Sequence, residues 1–196
     1  IVMLILGSTS TLTVNGDVTS SASDVTYNAD HMTLVGDSTG NTVNFAPTTV
    51  LTTTTDLGGA DAPGVLGLSD AELNTAHANL LRVYGNSILN VSSAINVLNA
   101  ISFRMYSSGI ITQSASVSAN NLIVNSVGAT ALGTITNNVS TLAAIISGST
   151  SGFSFRNAGA LIINTNDAVT GVTTNNGAIS ITTDAGGIEV ASSNNV

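Results

Sequence analysis

The chain of 196 residues contains no cysteine, no tryptophan and no lysine. Without cysteine there is no disulfide framework and no thiolate metal site, although that absence by itself fixes no compartment. Charged residues make up only 7%, far below the roughly 25% of an ordinary globular domain. Solubility must therefore rest on hydroxyls and amides. Three arginines face 11 acidic residues, for a net charge of -8. That balance argues against nucleic acid and against anionic membrane surfaces, which both call for basic patches. Aromatics are 4% of the chain, too few to fill a wide globular core. Long hydrophobic runs are missing too. The apolar start, Ile1 to Leu6, is too short for a membrane span and lacks the basic segment of a signal peptide. It reads as a buried strand, and no membrane insertion is expected. Patterns of helical period with caps are nearly absent.

What is present is a ladder. Asn121-Leu122-Ile123-Val124-Asn125 is followed by Thr141-Leu142-Ala143-Ala144-Ile145, by Ala160-Leu161-Ile162-Ile163-Asn164 and by Ala178-Ile179-Ser180-Ile181-Thr182. Backward, the series continues to Ala100-Ile101-Ser102-Phe103 and Asn79-Leu80-Leu81-Arg82-Val83. The period is about 20 residues, and a unit of that length cannot bury its apolar side without stacking on neighbours. A second series runs between these rungs, through Leu89, Ile111, Leu132, Phe153, Val172 and Ile188. Turns such as Ser107-Ser108-Gly109 and Asn175-Asn176-Gly177 separate the two. Gly and Asn suit sharp corners because they tolerate positive φ. Short alternating segments of this kind are half-buried strands.

These features predict an all-β fold, a parallel β-helix of about 20 residues per coil, forming one solenoid over residues 1–196. A right-handed coil is expected from general chirality and not from the ladder itself. At about 4.8 Å per coil, nine or ten coils give a rod on the order of 45 Å. An antiparallel sandwich is the competing fold, but it would not keep two ladders in phase. Neither end of the chain reads as a polar cap. The expectation is a stretch of a longer array, or a unit that makes end-to-end contact with further repeats or copies of itself.

The ladder is interrupted in the middle. Thr52-Thr53-Thr54-Thr55-Asp56 leads into a Gly- and Ala-rich segment and then into Val65-Leu66-Gly67-Leu68-Ser69-Asp70-Ala71-Glu72-Leu73-Asn74. Ser69 followed by Glu72 is a capping box, which predicts a short helical turn from Asp70 to about Ala76. Residues 56–79 are thus an irregular excursion, with its helical or loop part near 57–77.

Asp56-Leu57-Gly58-Gly59-Ala60-Asp61, the run from Gly64 to Asn74, and Leu81-Arg82-Val83 together resemble a module of filamentous haemagglutinin-like exoproteins, the large bacterial adhesins of two-partner secretion. Gly109-Ile110-Ile111-Thr112-Gln113, Ala119-Asn120-Asn121-Leu122 and Phe153-Ser154-Phe155 resemble the same repeat type. The likeness covers roughly Thr49 to Asn195, and Leu68-Ser69-Asp70-Ala71-Glu72-Leu73 is its most specific part. It implies a right-handed parallel β-helix on a bacterial surface, secreted and extracellular, acting as the stalk or body of an adhesin. Two departures stand out. No Asn-Pro-Asn type motif of the secretion domain occurs, so the resemblance implies a central segment. Tyr84 follows Arg82-Val83 where the repeat suggests glycine.

The residues offer little chemistry. His31 and His77 have no second histidine or cysteine at ligand spacing, so both read as surface or turn histidines. No Gly-x-Ser-x-Gly elbow is present. β-Helix lyases and hydrolases of polysaccharides carry clustered acids with basic residues, whereas here the acids are scattered and the only basic residues are Arg82, Arg104 and Arg156. Asp17, Asp24, Asp30 and Asp37 recur every six or seven positions, but the calcium-roll nonapeptide is missing, so they read as turn residues. Threonine-rich strands such as Thr9-Ser10-Thr11-Leu12-Thr13 do not recur in every coil, as an ice-binding array requires. Asn90-Val91-Ser92 and Asn138-Val139-Ser140 match a glycosylation pattern that any Asn/Ser-rich chain produces by chance. Asn120-Asn121, Asn137-Asn138, Asn157 and Asn175-Asn176 read as stacked amides or turn caps. No catalytic, cofactor or metal residue is assigned and no enzyme is expected. The expected role is structural and adhesive, a stalk or extracellular fibre. The alternative is a module binding a glycan or a host protein on its polar face or its 56–79 excursion. Ice binding and polysaccharide cleavage rank below both.

Overall fold

In the computed structural model, which describes residues 1–6, 10–49 and 54–191, the chain is a parallel β-solenoid. It makes about eight turns spaced roughly 22 residues apart. The first coils hold β1 (Val2–Ile5), β2 (Thr11–Val14), β3 (Val18–Thr19), β4 (Val25–Asn28), β5 (His31–Leu34) and β6 (Ser38–Ala46). The interrupted coil follows with β7 (Thr54–Leu57), β8 (Val65–Leu68), α1 (Asp70–Leu73) and β9 (Ala76–Gly85). Regular winding resumes through β10 (Ile88–Val91), β11 (Ile95–Ser107), β12 (Ile110–Gln113), β13 (Val117–Ser126), β14 (Thr130–Ser149), β15 (Phe153–Asn157) and β16 (Leu161–Ile163). A hairpin of β17 (Thr165–Asn166) and β18 (Val169–Thr170) precedes β19 (Val172–Asn175), β20 (Ile179–Thr183) and β21 (Ile188–Val190). Among the described residues, apart from that hairpin and an isolated antiparallel bridge between Ala62 and Val65, every paired strand is parallel to its neighbour, which rules out the sandwich. Thr9, Thr52, Thr53 and the stretch past Ala191 lie outside the described residues.

The rungs stack in columns. On one flank Val2, Val25, Val43, Leu81, Phe103, Leu122, Leu142, Ile163 and Val190 are successive partners. Eight steps of about 4.8 Å give an axial rise near 38 Å, shorter than the expected rod. From Val25 to Ile163 this column is buried. A second flank carries Leu66, Thr55, Leu89, Ile111, Thr130, Phe153 and Ile179. Medium aliphatics fill most of the narrow interior, joined by the buried rings of Phe103, Phe153, Phe155 and the stacked pair Tyr27–Phe45, 5.8 Å apart.

Register corrects three expectations. Leu122 rests on Leu142, but Leu142 pairs with Ile163, so Leu161 sits two residues out of that column and pairs with Ile188 instead. Ile111 pairs with Thr130, and Leu132 pairs with Phe155. Here a polar residue takes the inward corner because its hydroxyl is satisfied: Thr130 Oγ1 lies 2.8 Å from Ser126 Oγ. The last rungs exchange flanks. Val172 joins the Leu142 flank, Ile179 the Phe153 flank, and Ile188 follows Leu161. The β17–β18 hairpin causes this, since its residues lengthen the coil from Ile163 to Val190 and shift the phase of all that follows.

Of the amides expected to stack, Asn137 and Asn157 do so at an interior corner, whereas Asn121 and Asn175 pair with Ser or Thr. Asn137 is partnered with Asn157, and Gln113 exchanges amide hydrogen bonds with Asn137 at 3.1 Å in both directions. Asn137 and Asn157 then accept from the Val117 and Val139 amides at 2.9 Å. A buried amide is tolerated because its bonds are made.

The 56–79 segment contains regular structure. β8 pairs in register with β7, on the side away from β10. The chain therefore steps backward along the axis before α1 carries it forward to β9. The capping box forms as predicted, with the Ser69 hydroxyl accepting from the Glu72 amide and the Glu72 carboxylate accepting from the Ser69 amide at 3.0 Å. The helix is a single turn, ending at the Asn74 cap.

Candidate binding surface on the outer flank

Most of the residues singled out in the sequence do not converge. His31 Nε2 lies 3.0 Å from the Ala62 carbonyl, while His77 is 3.4 Å from Asp37. Asp17 accepts from the Asp37 amide at 3.0 Å, and Asp30 accepts from the Thr48 and Thr49 amides at 2.8 and 2.9 Å. Asp24 joins neither. Among the described residues, no group of three His, Asp or Glu side chains is placed to hold a metal. Outward threonines stack only locally, as Thr13 on Thr33, with Thr11 beside His31. Asn90 and Ser92 are engaged by the Asp56 carboxylate at 3.1 and 2.7 Å.

The acids of the excursion are likewise occupied. β5 and β8 are neighbours without a regular ladder, and carboxylates fill the gap. Asp61 accepts from the Met32 and Gly67 amides, both at 2.9 Å. Glu72 accepts from the Leu34 amide at 3.3 Å. Although Asp61 as a residue is exposed, its head group is turned onto backbone. Burial raises its pKa against the lowering effect of those amides and of His31, and Glu72 adds to the rise.

The arginines do converge. Arg82 and Arg104 are register partners on the outside of the Leu81–Phe103 flank. Both reach Asp167 at the tip of the β17–β18 hairpin, at 3.1 and 3.0 Å. Arg104 also donates to the Asp167 carbonyl at 2.5 Å, and Ser102 donates to Asn166 at 3.2 Å. The hairpin thus lies across several rungs, and Val169 packs on Leu80, Ile123 and Ala143. Burial lowers the Arg104 pKa. It also pulls on Arg82, but Asp167 and Tyr84 outweigh it and leave that guanidinium above its ordinary value. Both stay charged at any physiological pH.

Beside the arginines runs a second outward column. Tyr84 pairs with Tyr106, Tyr106 with Asn125, Asn125 with Ile145 and Ile145 with Thr173. The two tyrosine rings are 5.4 Å apart and tilted by 52°. Sequence reasoning missed this surface. The signal was there: Leu81-Arg82-Val83-Tyr84 returns one coil later as Phe103-Arg104-Met105-Tyr106. Arg156 stands apart, paired with Asp184 at 2.7 Å.

Two open clefts flank the Arg–Asp bridge. One, of about 270 Å³, is lined by Thr26, Asn28, Asn44, Ala46, Arg82 and Tyr84. The other, of about 460 Å³, is lined by Arg104, Asn125, Ile145, Thr173 and hairpin residues Asp167 to Thr170. Compared with family models, curated proteins and solved structures, the chain matches none.

Proposed function

We propose that this chain is a structural segment of a bacterial surface or secreted adhesin, a stiff rod that carries load between an anchor and a tip or builds an extracellular fibre. The observation that carries the reading is the column from Val2 to Val190, in which each coil is bonded through its backbone to the next. Pulling along the axis opposes many such bonds, and each rung excludes water from the one below. Stability then sums over neighbouring coils, so folding spreads from a nucleus, which suits export as an unfolded chain. End-to-end contact with further repeats or with copies of the same coil belongs to this reading. Val2, Leu4 and Leu6 are only partly buried against the core, and Ile188 and Val190 are exposed. Such a contact is heterologous and gives open filaments.

Force spectroscopy on the chain, held between two reference domains, tests the proposal. A rod of this kind gives way in increments of about one coil, roughly 22 residues. Release of the whole length in one event at the force of the reference domains would overturn it.

A further inference from the structure

We propose that the outer flank binds a neutral oligosaccharide, laid along the rod axis in a trough floored by the tyrosine column and walled by Arg82, Arg104 and the β17–β18 hairpin. The inference goes beyond the rod reading and does not depend on it.

The two clefts lie on the same two outward columns. Asn28, Ala46 and Tyr84 belong to the floor of one, and Asn125, Ile145 and Thr173 to the floor of the other. Tyr84 and Tyr106 bridge them. From the rung of Asn28 to that of Thr173 there are six coil steps, about 29 Å at the spacing of stacked strands. At about 270 and 460 Å³, one cleft falls just below and the other in the lower half of the roughly 300–1,000 Å³ of small-molecule pockets. Together they fit an extended chain of small rings better than one compact ligand.

The polar groups need a partner that both donates and accepts. Asn44 is only 7% exposed, and its Nδ2 donates to the Val25 carbonyl and the Thr26 hydroxyl, yet its Oδ1 has no partner. Asn125 Oδ1, in the second cleft, is buried and also without one. Arg82 and Arg104 present only donors, and each Nε is buried without a partner. Buried polar groups left over in this number, all along one trough, ask for hydroxyls. A sugar supplies them, and its apolar ring face packs on a tyrosine face, whose hydroxyl stays available as a polar handle.

Charge selects the neutral form. Asp167 already serves both guanidiniums, and the chain as a whole carries -8. With one carboxylate against two guanidiniums, a polyanionic chain would meet a single uncompensated positive charge here and a repulsive molecule around it.

The test uses the three tyrosines as reporters. With tyrosine rings labelled by carbon-13, cellohexaose and xylohexaose are titrated as neutral probes and hexagalacturonate as the charged one. At least one neutral hexasaccharide is expected to move the Tyr84 and Tyr106 resonances and leave buried Tyr27 in place. The double variant Tyr84→Ala/Tyr106→Ala, whose side chains lie outside the core, is expected to weaken binding at least tenfold by calorimetry. Its thermal midpoint checks that the rod is intact. Arg82→Gln, which keeps donors but loses the charge, is expected to weaken binding less than fivefold. No shift with either neutral probe, tighter binding of hexagalacturonate, or a double variant that binds within twofold of the parent would each overturn the proposal.

Discussion

Two stretches interrupt the same repeat, and they are accommodated in opposite ways. Residues 58–75 enter the stack. Leu66, Leu68 and Leu73 are fully buried, and Asp61 and Glu72 cap amides of a strand below. Residues 164–171 stay outside, as a hairpin strapped over the flank by Asp167 and by one buried valine. The first insertion brings its own alternating apolar residues, so it becomes part of the core. The second is Asn, Thr, Asp, Ala and Gly with a single Val, too little apolar surface to enter the core, so it lies on the surface. Composition of the inserted segment decides which side of the wall it takes.

The contrast is broken most severely by truncating its apolar anchors. Leu66→Ala is expected to cost about 2–5 kcal/mol, the range for a fully buried leucine. Val169→Ala removes two methyl groups from a small outer cluster and should cost about 1.5 kcal/mol. Urea midpoints of the two variants check this. Equal losses would mean that the hairpin belongs to the core after all. A deletion of residues 59–77, attractive as a way to remove a recognition loop, would remove three core leucines and report on folding instead.

Next in size is the carboxylate spacer. Asp61→Ala leaves the Met32 and Gly67 amides without their acceptor, at about 1–3 kcal/mol for an unsatisfied buried donor. Equilibrium unfolding measures it, and hydrogen exchange at Met32 should quicken more than at Leu122.

Much of the architecture was legible because one physical rule, inward apolar residues every coil, writes itself into Leu122, Leu142 and Phe103. The Ser69–Glu72 cap was legible because both partners lie within four residues. Register was not. Thr55 and Thr130 sit inside the wall, each with its hydroxyl bonded, and no pattern of hydrophobicity marks such a residue. The hairpin was hidden as well. Its loop residues Asp167 and Ala168 both have positive φ, 40° and 62°, yet the glycine that signals such a turn is missing. With the hairpin unseen, Asp167 had no reason to meet Arg82, 85 residues away, and the outer trough went unread.

Acid titration sets Asp61, inside the first insertion, against Asp184, which lies outside both, and their effects differ in sign. The Asp61 pKa is raised, mainly by burial. Its contribution is therefore fully present below the ordinary carboxylate value and is lost as pH rises through the elevated one. The Asp184 pKa is lowered, chiefly by the Arg156 hydrogen bond and then by Thr136. Its contribution holds above the ordinary value and is lost as pH falls through the depressed one. In thermal melts across the acid range, Asp61→Asn should remove a gain seen on acidification, whereas Asp184→Asn should remove a loss. The same slope in both variants would refute the assignment.

The smallest effect is expected at the hairpin tip. Ala168 holds a left-handed conformation that costs an L-residue about 1–2 kcal/mol, so Ala168→Gly relieves strain. Glycine returns part of that gain through the entropy of the unfolded chain, about 0.5–1 kcal/mol. The net gain in global stability should stay below about 1.5 kcal/mol. Its local consequence is larger in proportion, because the strap opens without unfolding the rod. Amide exchange at Val169 and Thr170 should slow in the glycine variant while exchange at Leu142 stays unchanged. A matching change at Leu142 would mean that strap and core open together, and the distinction between an insertion inside the wall and one laid over it would fail.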